Sequence, residues 1–159
     1  MMVPGAYPRL PDEPTGKGGK PMSDEFQDFN AGVVKEFRAN EGKVGGMFEG
    51  KDLLLLTTIG AKSGEERISP LAFTRDGDRF VIAASMGGAP KNPAWYHNVI
   101  ANPKVTLEIG TEKFTATATV IADRAERDRL YAKMIEFSEG FAEYEKKTTR
   151  LIPVVVLER

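Results

Sequence analysis

The chain predicts a mainly β protein, an antiparallel barrel of about six strands with three to four flanking helices. Three observations carry that expectation. From residue 53 onward, strand-like apolar segments follow one another in hairpin order, joined by short Gly-containing turns. Only a few helical patterns interrupt them, so the strand–helix alternation of a parallel sheet is missing. The Gly-rich segments fit neither nucleotide-binding fingerprint. EGKVGGMFEGKD holds no GxGxxG and follows no strand, and neither it nor GKGGKP fits GxxxxGK[ST].

Residues 1–24 are rich in Pro, Gly and Lys and read as a flexible leader to a single domain over 25–159. The leader holds no secretory apolar stretch, and no apolar run in the chain is long enough to span a bilayer. Phe26, Phe29, Val33, Val34 and Phe37 recur at helical spacing, with Ser23 or Asp24 as N-cap and an end near Asn40. The stripe reads as core. The alternative is a surface-seeking face that gives peripheral membrane contact or touches an apolar ligand.

Leu53–Ile59 is a continuous apolar run, as in a buried strand. Arg67–Arg75 follows GAKSGEE as its hairpin partner. Asp76-Gly77 marks the next hairpin turn, and Phe80–Ser85 is the third strand. A helix over Asn92–Ala101 has Pro93 in its first turn and stops at Asn102-Pro103. Val105–Ile109 and Lys113–Ile121 pair around Gly110-Thr111-Glu112. In the second of these, TATATV alternates, so one face is polar and one buried. The next helix runs from Asp123 to Ser138, with Asp123 as N-cap and Glu126 in capping-box position. SEGFAEYEKKTTR is less regular and could fold over a pocket. Ile152–Leu157 closes the chain as the last strand.

Bulk composition bounds the chemistry. The formal net charge of −1 gives no basic field for nucleic acid, so any anion site is a local cluster. The absence of cysteine removes disulfides, thiol catalysis and Cys-ligated metal, and suits a cytoplasmic setting. His97 is the single histidine, so no metal site is expected. No Ser-His-Asp arrangement or paired carboxylate motif suggests hydrolysis, which leaves chemistry carried by a cofactor.

Two segments could hold one. In TTIGAKSGEERISPL, Lys62, Ser63 and Arg67 flank Gly60 and Gly64, either as a solvated hairpin loop or as a cationic cradle. In AASMGGAPKNPAWYHNV, a strand leads through Gly87-Gly88 into a helix. That layout leaves backbone N–H groups free for an anion or a carbonyl oxygen.

Together LLLLTTIGAKSGEERISPL (53–71), FVIAASMGGAPKNPAWYHNVIANPKV (80–105) and RLIPVVVLER (150–159) resemble the deazaflavin-dependent nitroreductase family. This is class A of the flavin/deazaflavin oxidoreductases of actinobacteria, and the similarity covers about residues 45–159. The resemblance implies a split β-barrel of the FMN-binding, pyridoxamine-oxidase-like kind, and the cofactor F420 with its phospholactyl-oligoglutamate tail. Lys62, Ser63, Gly64 and Arg67 match the positions that hold the anionic tail, with Glu65 and Glu66 turned to solvent. Thr57, Thr58, Ser69 and Pro70 lie along the same wall. Ala83, Ala84, Ser85, Met86, Gly87 and Gly88 match the segment under the deazaflavin ring. Lys91, Asn92, Trp95, Tyr96 and Asn98 close that side.

The chain also departs from the family's nitroimidazole-activating members. Ala72 stands where they carry tyrosine, Phe141 where a tyrosine is expected, and Met86 in place of a basic residue. Ala72, Phe141 and Tyr144 then form a more apolar substrate pocket. The implied activity is hydride transfer from F420H2 to an enone, quinone or nitro compound. Ser85, Tyr144 or water would supply the proton. The alternatives are a non-catalytic F420 carrier and an FMN or haem split-barrel protein, with His97 as the only imidazole. The sequence sets no oligomeric state.

Overall fold

The computed structural model describes residues 22–45 and 53–159, with side chains of the first helix described from Phe29 onward. Expectations for residues 1–21 and 46–52, and for the side chain of Phe26, lie outside the described residues. In chain order the elements are α1 (Met22–Ala39), β1 (Leu53–Ile59), β2 (Glu66–Ala72), β3 (Thr74–Asp76) and β4 (Arg79–Ala83). A 3-10 turn (Met86–Gly88), α2 (Ala94–Ala101), β5 (Lys104–Ile109) and β6 (Glu112–Val120) follow. The chain ends with α3 (Arg124–Phe137), α4 (Gly140–Lys147) and β7 (Val154–Glu158).

The strands form one antiparallel sheet in the order β2-β1-β5-β6-β7-β4-β3. The expected single strand Arg67–Arg75 is two strands. β2 ends at Ala72 and β3 begins at Thr74, and they lie at opposite ends of the sheet order. One residue, Phe73, therefore joins the two edges, so the sheet has to curl until they meet. The chain, rather than a row of hydrogen bonds, closes it into a split β-barrel. Phe73 is buried and packs edge-on against Phe80 at 5.9 Å, which holds the corner.

Both faces of the sheet are buried over much of its width, which accounts for the unbroken runs LLLL and VVVL. Leu54, Leu56, Leu71, Ile82, Leu107 and Val155 point into the barrel, where Trp95 and Val99 of α2 plug one end. Leu53, Leu55, Val81, Ala83, Val154 and Val156 point out, beneath α1, α3 and α4. Each fully buried Leu or Val contributes about 1.5–3 kcal/mol. β6 is the exception on the outside. Ala116 and Ala118 are buried while Thr115, Thr117 and Thr119 are exposed, as the alternation of TATATV requires.

The helix ends follow the sequence in part. α3 starts as expected, with the Asp123 carboxylate accepting from the Glu126 N–H at 2.9 Å. α1 begins at Met22, so Ser23 and Asp24 lie inside the helix rather than capping it, and the leader boundary at residue 24 falls within α1. Val33 and Phe37 turn into the core, which corrects the surface-seeking reading for these positions. The Arg38 guanidinium donates two hydrogen bonds to the Glu108 carboxylate, at 3.0 and 2.8 Å, and ties the end of α1 to β5. The stretch read as irregular contains α4, because Phe141 and Tyr144, three apart, give it a buried face. No described helix is long and apolar enough to cross a membrane.

Candidate active site

The loop between β1 and β2 is a tight, internally bonded turn. The Gly60 N–H donates to the Glu65 carbonyl at 2.7 Å, and the Gly64 N–H to the Gly60 carbonyl at 3.0 Å. The Ser63 hydroxyl accepts from the Glu65 N–H at 3.2 Å. Asn98 of α2, nearly buried, fastens this loop to the barrel. Its amide donates to the Thr58 hydroxyl at 3.1 Å, and its carbonyl oxygen accepts from the Ala61 N–H at 2.9 Å. Lys62, Ser63 and Gly64 are exposed on the loop, and Arg67 is exposed at the start of β2.

Glu65 and Glu66 are exposed, as expected, but Glu65 still reaches Arg67. The guanidinium donates to the Glu65 carboxylate at 3.4 Å and to the Glu66 carbonyl at 3.2 Å. That ion pair is open to solvent, 49% and 64% exposed, so it is weak. The wall of Thr57, Thr58, Ser69 and Pro70 is divided between two faces, because neighbours along a strand alternate. Thr58 lies opposite Arg67, and Ser69 opposite Leu56, on the barrel-interior side. Thr57 lies opposite Ile68, and Pro70 opposite Leu55, on the outer side.

The second segment leaves β4 through Ala84 and Ser85 into the 3-10 turn. Met86 has φ +46°, a left-handed conformation that costs a non-glycine residue about 1–2 kcal/mol. Gly87 and Gly88 follow at φ +65° and +87°. The two glycines do different things. A β-carbon on Gly88 would sit 2.9 Å from Lys147 Cβ and 3.2 Å from the Tyr144 carbonyl, so Gly88 makes room for α4. A β-carbon on Gly87 would meet nothing within 4 Å, so this face is open. Gly88→Ala should therefore lose about 2–3 kcal/mol in urea unfolding, and Gly87→Ala about 1 kcal/mol, the backbone cost alone. Equal losses would contradict the assignment.

Arg150, just before β7, gathers this segment, and sequence reasoning gave it no role. It donates from Nε to the Ala89 carbonyl at 3.0 Å and from Nη1 to the Asn92 amide oxygen at 2.6 Å. Its Nη2 donates to the Ala84 and Ser85 carbonyls at 3.0 and 3.1 Å. Burial lowers its pKa from the usual arginine value. The only sequence trace of this role is a basic residue at the entry to the last strand.

The structure thus brings the two expected segments together through Asn98, while Arg150 ties residues 84–92 of the second segment to the approach to β7. Trp95 and Ser85 are buried, Tyr96 and Met86 half-buried, and Lys91 exposed. His97 is exposed, edge-on to Tyr96. Ala72, Phe141 and Tyr144 share one helix-covered cluster, where they are core residues and not an open pocket wall. Phe141 packs edge-on against Tyr144 at 5.5 Å and Tyr131 at 6.3 Å. Tyr131 donates its hydroxyl to the Phe141 carbonyl at 2.6 Å, and burial raises its pKa, so it is not an available acid. Two surface cavities lie elsewhere. One of about 220 Å³ lies against Arg38 and Glu108, and one of about 390 Å³ against Arg75 and Arg159.

Known proteins resemble this chain in sequence and fold. The family model for F420H(2)-dependent quinone reductase matches residues 31–159. An F420H(2)-dependent quinone reductase of Mycobacterium tuberculosis is 38% identical over 129 residues, covering 77% of this chain and 85% of that protein. A solved structure of an F420-H2 dependent reductase (FDR-A) is 40% identical, with a TM-score of 0.61, over 67% of this chain and 93% of its own. A solved structure described as a domain-swapped dimer is 33% identical, with a TM-score of 0.64, over 86% of this chain and 99% of its own. The matched span runs from α1 to β7 and contains the Asn98-fastened loop, the strained 3-10 turn and the strand that Arg150 introduces, and the chain belongs to the F420H(2)-dependent quinone reductase family.

Proposed function

We propose that this chain is an F420H2-dependent oxidoreductase that passes hydride to an electron-poor acceptor of the quinone class. The observation that carries the reading is Asn98, which bolts the cationic loop to the helix following the 3-10 turn. An extended cofactor with an anionic tail and a flat ring needs those two surfaces at a fixed separation. The residues present fit such a group. Lys62 on the rigid loop and Arg67 at the start of β2 stand exposed for the tail, and the open face at Gly87 admits a ring edge.

When bound, reduced F420 supplies the hydride. The chain's own residues bind, orient and protonate. Lys62 and Arg67 hold negative charge, Arg67 by exchanging Glu65 for the ligand. The 3-10 turn offers backbone donors to the ring's polar edge. Ser85 lies at the start of that turn, and Tyr144 is on the helix packed against it, so these two are the proton-donor candidates. We take residues 25–159 as the cofactor-binding unit and the cytoplasm as its setting.

Fluorescence titration with F420, followed by anaerobic mixing of F420H2 with menadione, cyclohexenone and a nitroaromatic, tests this. Binding with fastest oxidation by menadione is expected. Binding without oxidation by any acceptor means a carrier, and selective binding of FMN overturns the cofactor assignment.

A further inference from the structure

We infer that Arg150 is a positioning residue for the ring-side turn. By holding the carbonyls of residues 84 and 85 it turns the N–H groups of Ser85 and Met86 toward the ligand. This rests on the ring-side reading given above. In a trans peptide the C=O and N–H of one unit point in opposite directions. The Ala84 and Ser85 carbonyls both converge on a single atom, Nη2 of Arg150. The N–H groups of the same two peptide units, those of Ser85 and Met86, therefore both point away from it. Neither donates to an acceptor among the described residues, although Ser85 is only 2% exposed. A buried backbone donor is rarely left unpaired, so the Ser85 N–H, with that of half-buried Met86 beside it, marks a place a ligand completes. Side by side, they match a carbonyl oxygen and an adjacent ring nitrogen on the edge of a flat heterocycle.

The turn needs such a tie. Its own hydrogen bonds run from the Gly88 N–H to the Ser85 carbonyl and from the Ala89 N–H to the Met86 carbonyl. They have to hold left-handed conformations at Met86, Gly87 and Gly88. Arg150 adds four bonds that span residues 84 to 92, all to carbonyl oxygens of backbone or amide. Among the described residues no carboxylate pairs with it, so the guanidinium is committed to the turn. A lysine keeps the charge but lacks the planar fork that reaches Ala84, Ala89 and Asn92 together.

The test compares Arg150→Lys and Arg150→Met with the wild-type chain by amide hydrogen exchange, F420 fluorescence titration and steady-state kinetics with menadione. In both variants exchange at 84–92 should rise at least about tenfold while β5 and β6 stay protected, and F420 affinity should fall at least about tenfold. The KM for F420H2 should rise while kcat stays within about threefold. Lysine is the deciding variant, since it preserves charge and spares the fold if methionine does not. Arg150→Lys with F420 affinity within twofold of wild type, or with unchanged exchange at 84–92, overturns the clamp. A wild-type chain that fails to bind F420 overturns the functional reading instead, and the exchange comparison still judges the clamp.

Discussion

Lys62→Ala combined with Arg67→Ala is expected to weaken F420 binding about 30- to 150-fold and leave the thermal midpoint nearly unchanged. The two halves of that expectation have separate grounds. Affinity falls because each cation offers a charge-assisted hydrogen bond to the anionic tail, worth about 1–1.5 kcal/mol after screening at an exposed site. With a net charge of −1 the chain has no wider positive field to replace them. Stability holds because the loop is built by its backbone, by Ser63 and by Asn98, none of which is altered. The Arg67–Glu65 pair lost in the variant is exposed and contributes little. Added salt should erode wild-type affinity more than that of the variant. A double variant that binds F420 within about threefold of wild type would sink the cradle assignment.

What the sequence made legible was local. β1, the alternation of β6, the Asp123 cap and the Asp76-Gly77 turn each depend on residues a few positions apart, and each appears where its pattern places it. What it hid was non-local. Arg67–Arg75 reads as one strand because LAFT carries no turn residue at Phe73, and the corner there exists only because the sheet curls back on itself. Arg150 looks like a surface residue beside a strand until the carbonyls of residues 84, 85 and 89 converge on it from some sixty positions away.

The candidate site divides in the same way. The two segments were visible as a set through their resemblance to a family, whereas the forces joining them were not. Asn98 was grouped with the ring-side residues. Its hydrogen bonds go instead to the tail-side loop, and that is what relates the two surfaces. Gly87 and Gly88 read as a pair, and only packing against α4 tells them apart.

Asp76→Ala is expected to cost about 2–3 kcal/mol at pH 7, or a fall of roughly 5–10 °C in thermal midpoint. Asp76 ends β3, the short edge strand at the open end of the sheet order, and its side chain is only 16% exposed. Arg129 of α3 donates to both its oxygens at 3.0 and 2.9 Å, Arg79 donates from the partner strand, and Lys133 reaches it at 3.4 Å. Removing the carboxylate leaves three cations facing one another across the hairpin and α3, with Glu126 alone to serve two of them. The Arg129 and Arg79 hydrogen bonds, which outweigh the opposing effect of burial, hold the Asp76 pKa well below the ordinary carboxylate value. A pKa depressed on folding stabilises the native state fully above the unfolded value of about 3.9, and that stabilisation drains away as pH falls toward the folded value. The gap between wild type and Asp76→Ala should therefore be constant near neutrality and narrow by about 1 kcal/mol on going to pH 3. A gap that is already negligible at pH 7, or that does not narrow in acid, would show that the hairpin is held by its packing alone. Because β3 meets β2 only through Phe73, the ionic tie to α3 is what fixes this edge, and its loss should loosen the barrel where the sheet is split.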